Sequence, residues 1–182
     1  MESKKEIRKR ILAKRDTLKP AERFRSEALV TERILGHQWY HKAEYILLFV
    51  SYGSEISTDE ILKDALKSGK KVYMPKVEGE NMEFYRIWDK EDLVAGYKGI
   101  LEPDGLSEKF VYECVPDKVL MIMPGSAFDI KRNRVGYGKG FYDKYLADKP
   151  DLQTIAIGFD CQMVECIETD ENDIKPMQVI CL

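Results

Sequence analysis

Apolar positions along the chain fall into runs of two kinds. Tyr45-Ile46-Leu47-Leu48-Phe49-Val50, Val119-Leu120-Met121-Ile122 and Thr154-Ile155-Ala156-Ile157-Gly158-Phe159 are continuous and of strand length, the pattern of strands covered on both faces. Lys71-Val72-Tyr73-Met74-Pro75 supplies another strand, and Asn81 to Trp88 alternates as a further one. Helical spacing fills much of the rest. Ser3 and Glu6 form a capping-box pattern that opens a helix of roughly four turns with a thin stripe of Ile7, Ile11, Ala13 and Leu18. A second helix runs from Pro20 to Gly36 with Phe24, Ala28, Val30, Ile34 and Leu35 as apolar contacts. A third follows the 45–50 strand, capped by Ser57 and Glu60, with Ile61, Leu62, Ala65 and Leu66 inward and Gly69 closing it. Another begins near Gly140 and continues through Tyr145 and Leu146 to Pro150, while Asp89–Lys109, rich in Gly, Pro and charge, reads as mostly loop. The strand–helix–strand order over 45–75 is a β-α-β unit with a right-handed crossover. The predicted architecture is a single α/β domain over residues 1–182: an open, mostly parallel sheet flanked by helices, three-layered and Rossmann-like.

The stretch that departs from these periodicities is Met123–Asp143, MPGSAFDIKRNRVGYGKGFYD. Glycines alternate in Gly136-Tyr137-Gly138-Lys139-Gly140, so the backbone can take positive φ and leave its N–H groups uncovered. Arg132, Arg134 and Lys139 add positive charge, and the helix that follows adds its N-terminal dipole. The pattern suits an anion such as phosphate. It is neither a Walker A loop, since Gly140 follows Lys139 where Ser or Thr is needed, nor a dinucleotide fingerprint. Asp143 ends the stretch with a carboxylate suited to magnesium, which binds few carboxylates and shares its shell with phosphate and water. The competing reading is a long surface loop with a solvated basic face.

Charge narrows the partners. With 29 basic and 32 acidic residues the net charge is −3, so neither nucleic acid nor an anionic membrane is expected as a partner, and basic function must be local. No apolar run is long enough to span a bilayer and the charged N-terminus is no secretory signal, so a cytoplasmic protein is expected. Cys114, Cys161, Cys166 and Cys181 lack metal-ligand spacing and read as plain thiols; His37 and His41 lack ligand partners and read as packed or surface residues. Lys4 and Arg8, at i and i+4, share a helix face where two cations can close on one polyphosphate, although such a charge run is by itself more often a solvated helix face. Ligands of open α/β sheets bind beyond the carboxyl ends of the strands, which puts Val50–Glu55 and Pro124–Asp143 at one rim. Glu55 reads there either as a ligand contact or as a carboxylate that stabilises the start of a helix.

Pro124-Gly125, Phe128-Asp129 and Asn133-Arg134-Val135-Gly136-Tyr137-Gly138-Lys139-Gly140-Phe141-Tyr142-Asp143 together resemble the signature of the 5-formyltetrahydrofolate cyclo-ligase family. The resemblance extends to Lys4–Arg8, Ser54–Ile61 and Glu171-Asn172-Asp173, in the family's order. It implies ATP-driven cyclisation of 5-formyltetrahydrofolate to 5,10-methenyltetrahydrofolate, with Mg2+ as cofactor and ATP as co-substrate; a monomer is expected, although the sequence does not fix the oligomeric state. It also implies ATP contacts at Lys4, Lys5, Glu6, Ile7 and Arg8 and at Arg134, Val135, Gly136, Tyr137, Gly138, Lys139, Gly140, Phe141 and Tyr142. Folate contacts are implied at Val50, Glu55 and Tyr137–Phe141, metal ligands at Asp143 and Asp173, and a hold on the migrating phosphoryl group at Arg134 and Lys139. A folate-facing flap is implied within 89–109, where Tyr97 reads as a stacking surface or a packing residue. Phe141 stands where many relatives have tyrosine, Thr169 stands near a usual proline, and Gln178–Leu182 departs from the family's ending. Two rivals use the same loop differently: a nucleotide- or RNA-binding module, and a sugar-phosphate-binding regulatory or isomerase domain.

Overall fold

The computed structural model describes residues 2–113 and 116–182, which leaves Cys114 outside the described residues. In chain order the elements are α1 (Lys4–Asp16), α2 (Pro20–Leu35), α3 (Gln38–Lys42), β1 (Tyr45–Leu48), α4 (Asp59–Lys67), β2 (Lys71–Glu78) and β3 (Asn81–Ile87). They continue with β4 (Leu93–Ala95), β5 (Leu101–Pro103), β6 (Val119–Met123), β7 (Ala127–Asp129), β8 (Arg134–Val135), α5 (Phe141–Leu146), β9 (Gln153–Gly158), β10 (Met163–Val164) and β11 (Gln178–Cys181). Six strands form the central sheet in the order β11-β9-β6-β1-β2-β3, parallel except for the β2–β3 hairpin at one edge.

The continuous apolar runs are buried on both faces, as their pattern predicts. Ile46, Leu48, Leu120, Ile122 and Ile155 join Val72 and Met74 in one core under α2 and α4. Their neighbours Leu47, Met121, Met123 and Ala156 point the other way and pack with Tyr73, Phe84, Tyr145 and Leu146. Each fully buried aliphatic side chain contributes about 1.5–3 kcal/mol, so two-sided burial of β1, β6 and β9 supplies most of the drive for this layering.

Several expected details shift. Phe24, which was to face inward, is 74% exposed, and Ala28 is exposed too, because α2 packs through Val30, Ile34 and Leu35 nearer its C-terminal end; Ala13 of α1 is likewise exposed. The helix after β1 starts one residue later than its cap pattern suggests. Thr58 takes the N-cap and turns its hydroxyl inward to donate to the Phe49 carbonyl at 3.0 Å, while Ser57 Oγ accepts from Asp59 N at 3.3 Å. The stretch 89–109 carries a short antiparallel hairpin, β4–β5. Finally, α5 stops at Leu146, well short of Pro150, and is too short to bring much dipole.

One helix does not lie on the sheet. Ile7 and Ile11 of α1 pack with Ala127, Val135 and Ile167 in a small core of their own, so α1 is docked on the β7–β8 hairpin that follows β6.

Candidate active site

The chain leaves β1 toward β2 on one side and returns to β6 on the other, so the sheet switches direction between these two adjacent parallel strands. Leu48 and Ile122 are register partners, and the segments that leave their carboxyl ends emerge side by side at the place where open α/β sheets bind ligands.

The segment after β6 is tied down before it reaches the glycines. Asp129 is buried, and its carboxylate accepts from Lys131 N (2.9 Å), Asn133 N (2.9 Å), Asn133 Nδ2 (2.7 Å) and Ile167 N (3.0 Å). Burial works to raise this carboxyl, but these bonds outweigh it and hold the group below its usual value. Gly125 lies where a Cβ would come within 2.6 Å of the Phe128 ring, and its carbonyl accepts from Gln162 Nε2 at 2.7 Å. Arg132 does not join the glycines as expected: it sits at the hairpin tip with φ 64° and donates to the Met177 carbonyl at 2.7 Å.

Onto this base α1 lowers a row of cations. Lys4, Arg8 and Arg15 fall at helical spacing along the side that carries Ile7 and Ile11. Arg8 Nε donates to the Gly136 carbonyl at 2.7 Å, and its guanidinium lies 3.4 Å from where a Cβ on Gly138 would stand. Gly138 and Gly140 have φ of 97° and 66°, which a side chain would strain. Gly136 answers a different need, since a Cβ there would come 2.9 Å from Arg134 Nη1. Arg134 is only 7% exposed; its Nη2 donates to Asp143 Oδ1 at 2.9 Å, its guanidinium faces the Tyr142 ring at 5.7 Å, and its buried Nε has no partner among the described residues. Lys139 is exposed and makes no ion pair among the described residues.

Tyr137 reaches across to the segment after β1. Its hydroxyl accepts from Arg15 Nη1 at 2.9 Å, and the same Arg15 donates through Nε to Ser54 Oγ, beside Glu55, at 3.0 Å. Burial pushes the Glu55 carboxyl up, against the opposing influence of the Tyr137 hydroxyl, the bond from Tyr52 N and the charge of Arg15. Burial likewise pushes the phenols of Tyr137 and Tyr142 upward, so both stay protonated at neutral pH. Val50 is half-buried beside this turn, and Tyr97 on the β4–β5 hairpin meets Phe141 edge-on, 6.2 Å between centroids.

The remaining site residues divide. Ile7 and Val135 are core side chains, Lys5 is exposed, and Glu6 spends its carboxylate on Ser3 N and Oγ in the expected cap. Lys4 pairs with Asp173 and, at 2.9 Å, with Asp170; burial opposes its charge, but the two carboxylates outweigh burial and raise its pKa. Asp143 Oδ1 also accepts from Ile174 N at 3.1 Å, so Asp143 and the residue after Asp173 touch. No group of three or more His, Cys, Asp or Glu side chains suited to a metal exists among the described residues. Two carboxylates that each keep one oxygen outside these contacts fit an ion that binds few carboxylates and rides on phosphate, such as magnesium.

Two cavities, of about 270 and 380 Å³, lie elsewhere: beside Pro150 and Lys175, and between the 129–132 turn and β11. Neither is lined by α1, Glu55 or the glycines. His37 is structural, its Nδ1 accepting from Trp39 N and its Nε2 facing Gln178 Oε1 at 3.1 Å, and Cys161, Cys166 and Cys181 are free thiols. Sequence reading overlooked Arg15, a buried cation inside a run of exposed and half-buried ones. Its signal is register: it stands four residues after Ile11 and eight after Ile7, on the apolar stripe.

The sequence model of the 5-formyltetrahydrofolate cyclo-ligase family matches residues 1–182. The chain belongs to this family. A mouse protein named 5-formyltetrahydrofolate cyclo-ligase is 29% identical over 188 residues, covering 98% of this chain and 93% of its own. The solved structure of Aquifex aeolicus 5,10-methenyltetrahydrofolate synthetase superposes with a TM-score of 0.83 at 30% identity, over 97% of this chain and 88% of that one. A Mycoplasma pneumoniae 5,10-methenyltetrahydrofolate synthetase shares the fold, with a TM-score of 0.77 at 20% identity and 97% coverage of both chains. Membership of the cyclo-ligase family makes this chain an enzyme with the family's mixed α/β fold. No helix among the described residues is long and apolar enough to cross a membrane.

Proposed function

We propose that this enzyme uses ATP to cyclise 5-formyltetrahydrofolate to 5,10-methenyltetrahydrofolate, releasing ADP and phosphate. The observation that carries the reading is the junction at Gly136-Tyr137: Arg8 of α1 bonds to the Gly136 carbonyl, and Tyr137 is tied through Arg15 to Ser54 on the turn that carries Glu55. Cations suited to a triphosphate thereby meet a carboxylate suited to the N–H edge of a pterin.

The chemical obstacle is a poor electrophile, because an N5-formyl group is an amide and its oxygen leaves badly. Transfer of the γ-phosphoryl group to that oxygen expels ADP and gives an iminium phosphate. N10 then attacks the activated carbon and loses its proton, and the carbon–oxygen bond breaks, so phosphate departs with the former formyl oxygen. No protein nucleophile is needed; alignment and charge neutralisation are. Lys4, Arg8 and the uncovered N–H groups of Arg134–Tyr142 grip the phosphates. Arg134 and Lys139 face the migrating group, Arg134 from a buried position where its charge is least screened. Anionic phosphate competes with Asp143 and Asp173 for Arg134 and Lys4. Asp143 and Asp173 are the residues that would hold magnesium, which when bound neutralises charge on the phosphate oxygens. Glu55, Val50 and the Tyr137–Phe141 backbone hold the folate, and the ring of Phe141 keeps a stacking surface without a hydroxyl.

Oxygen labelling tests this route. With 18O in the formyl group, the account expects the label in the released phosphate; label retained in the folate or lost to water contradicts a phosphorylated formyl intermediate.

A further inference from the structure

Arg15 belongs to no part of the mechanism above, yet it is 4% exposed and has no carboxylate within ion-pair distance among the described residues. Its guanidinium is a donor-only group with a fixed fork. One arm, Nε, donates to Ser54 Oγ at 3.0 Å, and the other, Nη1, donates to Tyr137 Oη at 2.9 Å. Because Arg15 can only donate, the Tyr137 oxygen must accept, and its single proton is left free for another partner. Glu55 Oε2 is meanwhile occupied by Tyr52 N at 2.9 Å. The place of the Glu55 turn relative to Tyr137 is therefore set by Arg15, which holds both. The turn itself is braced from behind: Ser54 Oγ donates to Asp16, and Arg23 spans from the Ser54 carbonyl (2.9 Å) to the Arg15 carbonyl (3.2 Å).

We propose that Arg15 is a positioning residue for the folate half of the site, its fork tying the Tyr137 hydroxyl to the Ser54 turn and so fixing where the Glu55 carboxylate that receives the pterin stands. The inference rests on the reading that Glu55 and Tyr137 contact folate. It does not extend to ATP, whose contacts lie on the Arg8 and Arg134 side of the same glycines.

Steady-state kinetics of Arg15→Lys, Tyr137→Phe and the double variant, with circular dichroism as a folding control, tests it. Lysine keeps the charge but has one ammonium where the fork bonds two groups. Arg15→Lys and Tyr137→Phe should each raise KM for 5-formyltetrahydrofolate about tenfold, leave KM for ATP and kcat within about twofold, and combine in the double variant to no more than the larger single effect. Multiplicative effects, or a loss confined to kcat or to KM for ATP, overturn the proposal, since a residue that merely held α1 in place would not couple to one hydroxyl. If Arg15→Lys does not fold, Ser54→Ala with Tyr137→Phe replaces it: weakened, non-additive folate binding supports the proposal, and additive binding overturns it. Wild-type protein that neither binds nor turns over the folate removes the underlying reading and this inference together; normal wild-type turnover with additive variants removes the inference alone.

Discussion

At the scale of single residues, the site depends on side chains whose bonds all point inward. Asp129 is the clearest: one buried carboxylate satisfies three backbone N–H groups and the Asn133 amide, and so fixes both the hairpin after β6 and the chain at Ile167. Its proton is bound less readily in the folded protein than in the unfolded chain, so its stabilisation is complete above the usual carboxyl value of 3.8 and is lost as pH falls below it. Asp129→Asn should lower the urea midpoint at pH 7, at a cost of about 1–3 kcal/mol for the donors left unmatched, with the gap from wild type shrinking as pH falls through 4 to 3. An equal gap at both ends of that range would show that the carboxylate's charge is irrelevant. Little of this was legible in advance. Asp129 and Asn133 stood in the signature, but sequence does not say that one carboxylate takes four bonds; likewise Arg134 was legible as a cation and not as a buried one.

At the scale of elements, α1 is the part that turns a scaffold into a site. Its cap and its Ile7–Ile11 stripe were plain in the sequence because capping and helical period are local properties. Its place on the β7–β8 hairpin was not, since docking depends on partners far along the chain. The β4–β5 hairpin was missed for a related reason: Gly96 and Gly99 read as loop, whereas Gly96 is there to let Glu102 approach, a Cβ at that position falling 2.0 Å from Glu102 Cδ. Glu102 pairs with Lys76 at 3.1 Å and accepts from Val77 N and Tyr97 N, which places Tyr97 against Phe141. Glu102→Ala leaves Lys76 without its carboxylate, and amides of 93–103 should then exchange hydrogen about tenfold faster or more, the central strands keeping their protection. Unchanged exchange in 93–103 would mean that the hairpin is held by other contacts.

For the whole molecule, the decisive feature is the switch between β1 and β6, which sends two loops from adjacent parallel strands to one rim. The parallel sheet and this convergence were readable because continuous apolar runs in a strand–helix–strand order leave few topologies. The partners inside the rim were not, because Arg15, Tyr137 and Ser54 meet only once the hairpin, helix and turn are in place. The central claim is that these parts form one site for ATP and a formyl folate. Its most direct measurement is the near-ultraviolet absorbance of methenyltetrahydrofolate in purified protein given 5-formyltetrahydrofolate and Mg-ATP, followed for wild type and for Lys139→Ala. The account predicts product matched one-to-one by ADP, none without ATP, and a loss of about 10²–10³-fold in kcat for the folded variant. Product without ATP, or an unimpaired Lys139→Ala, would contradict it.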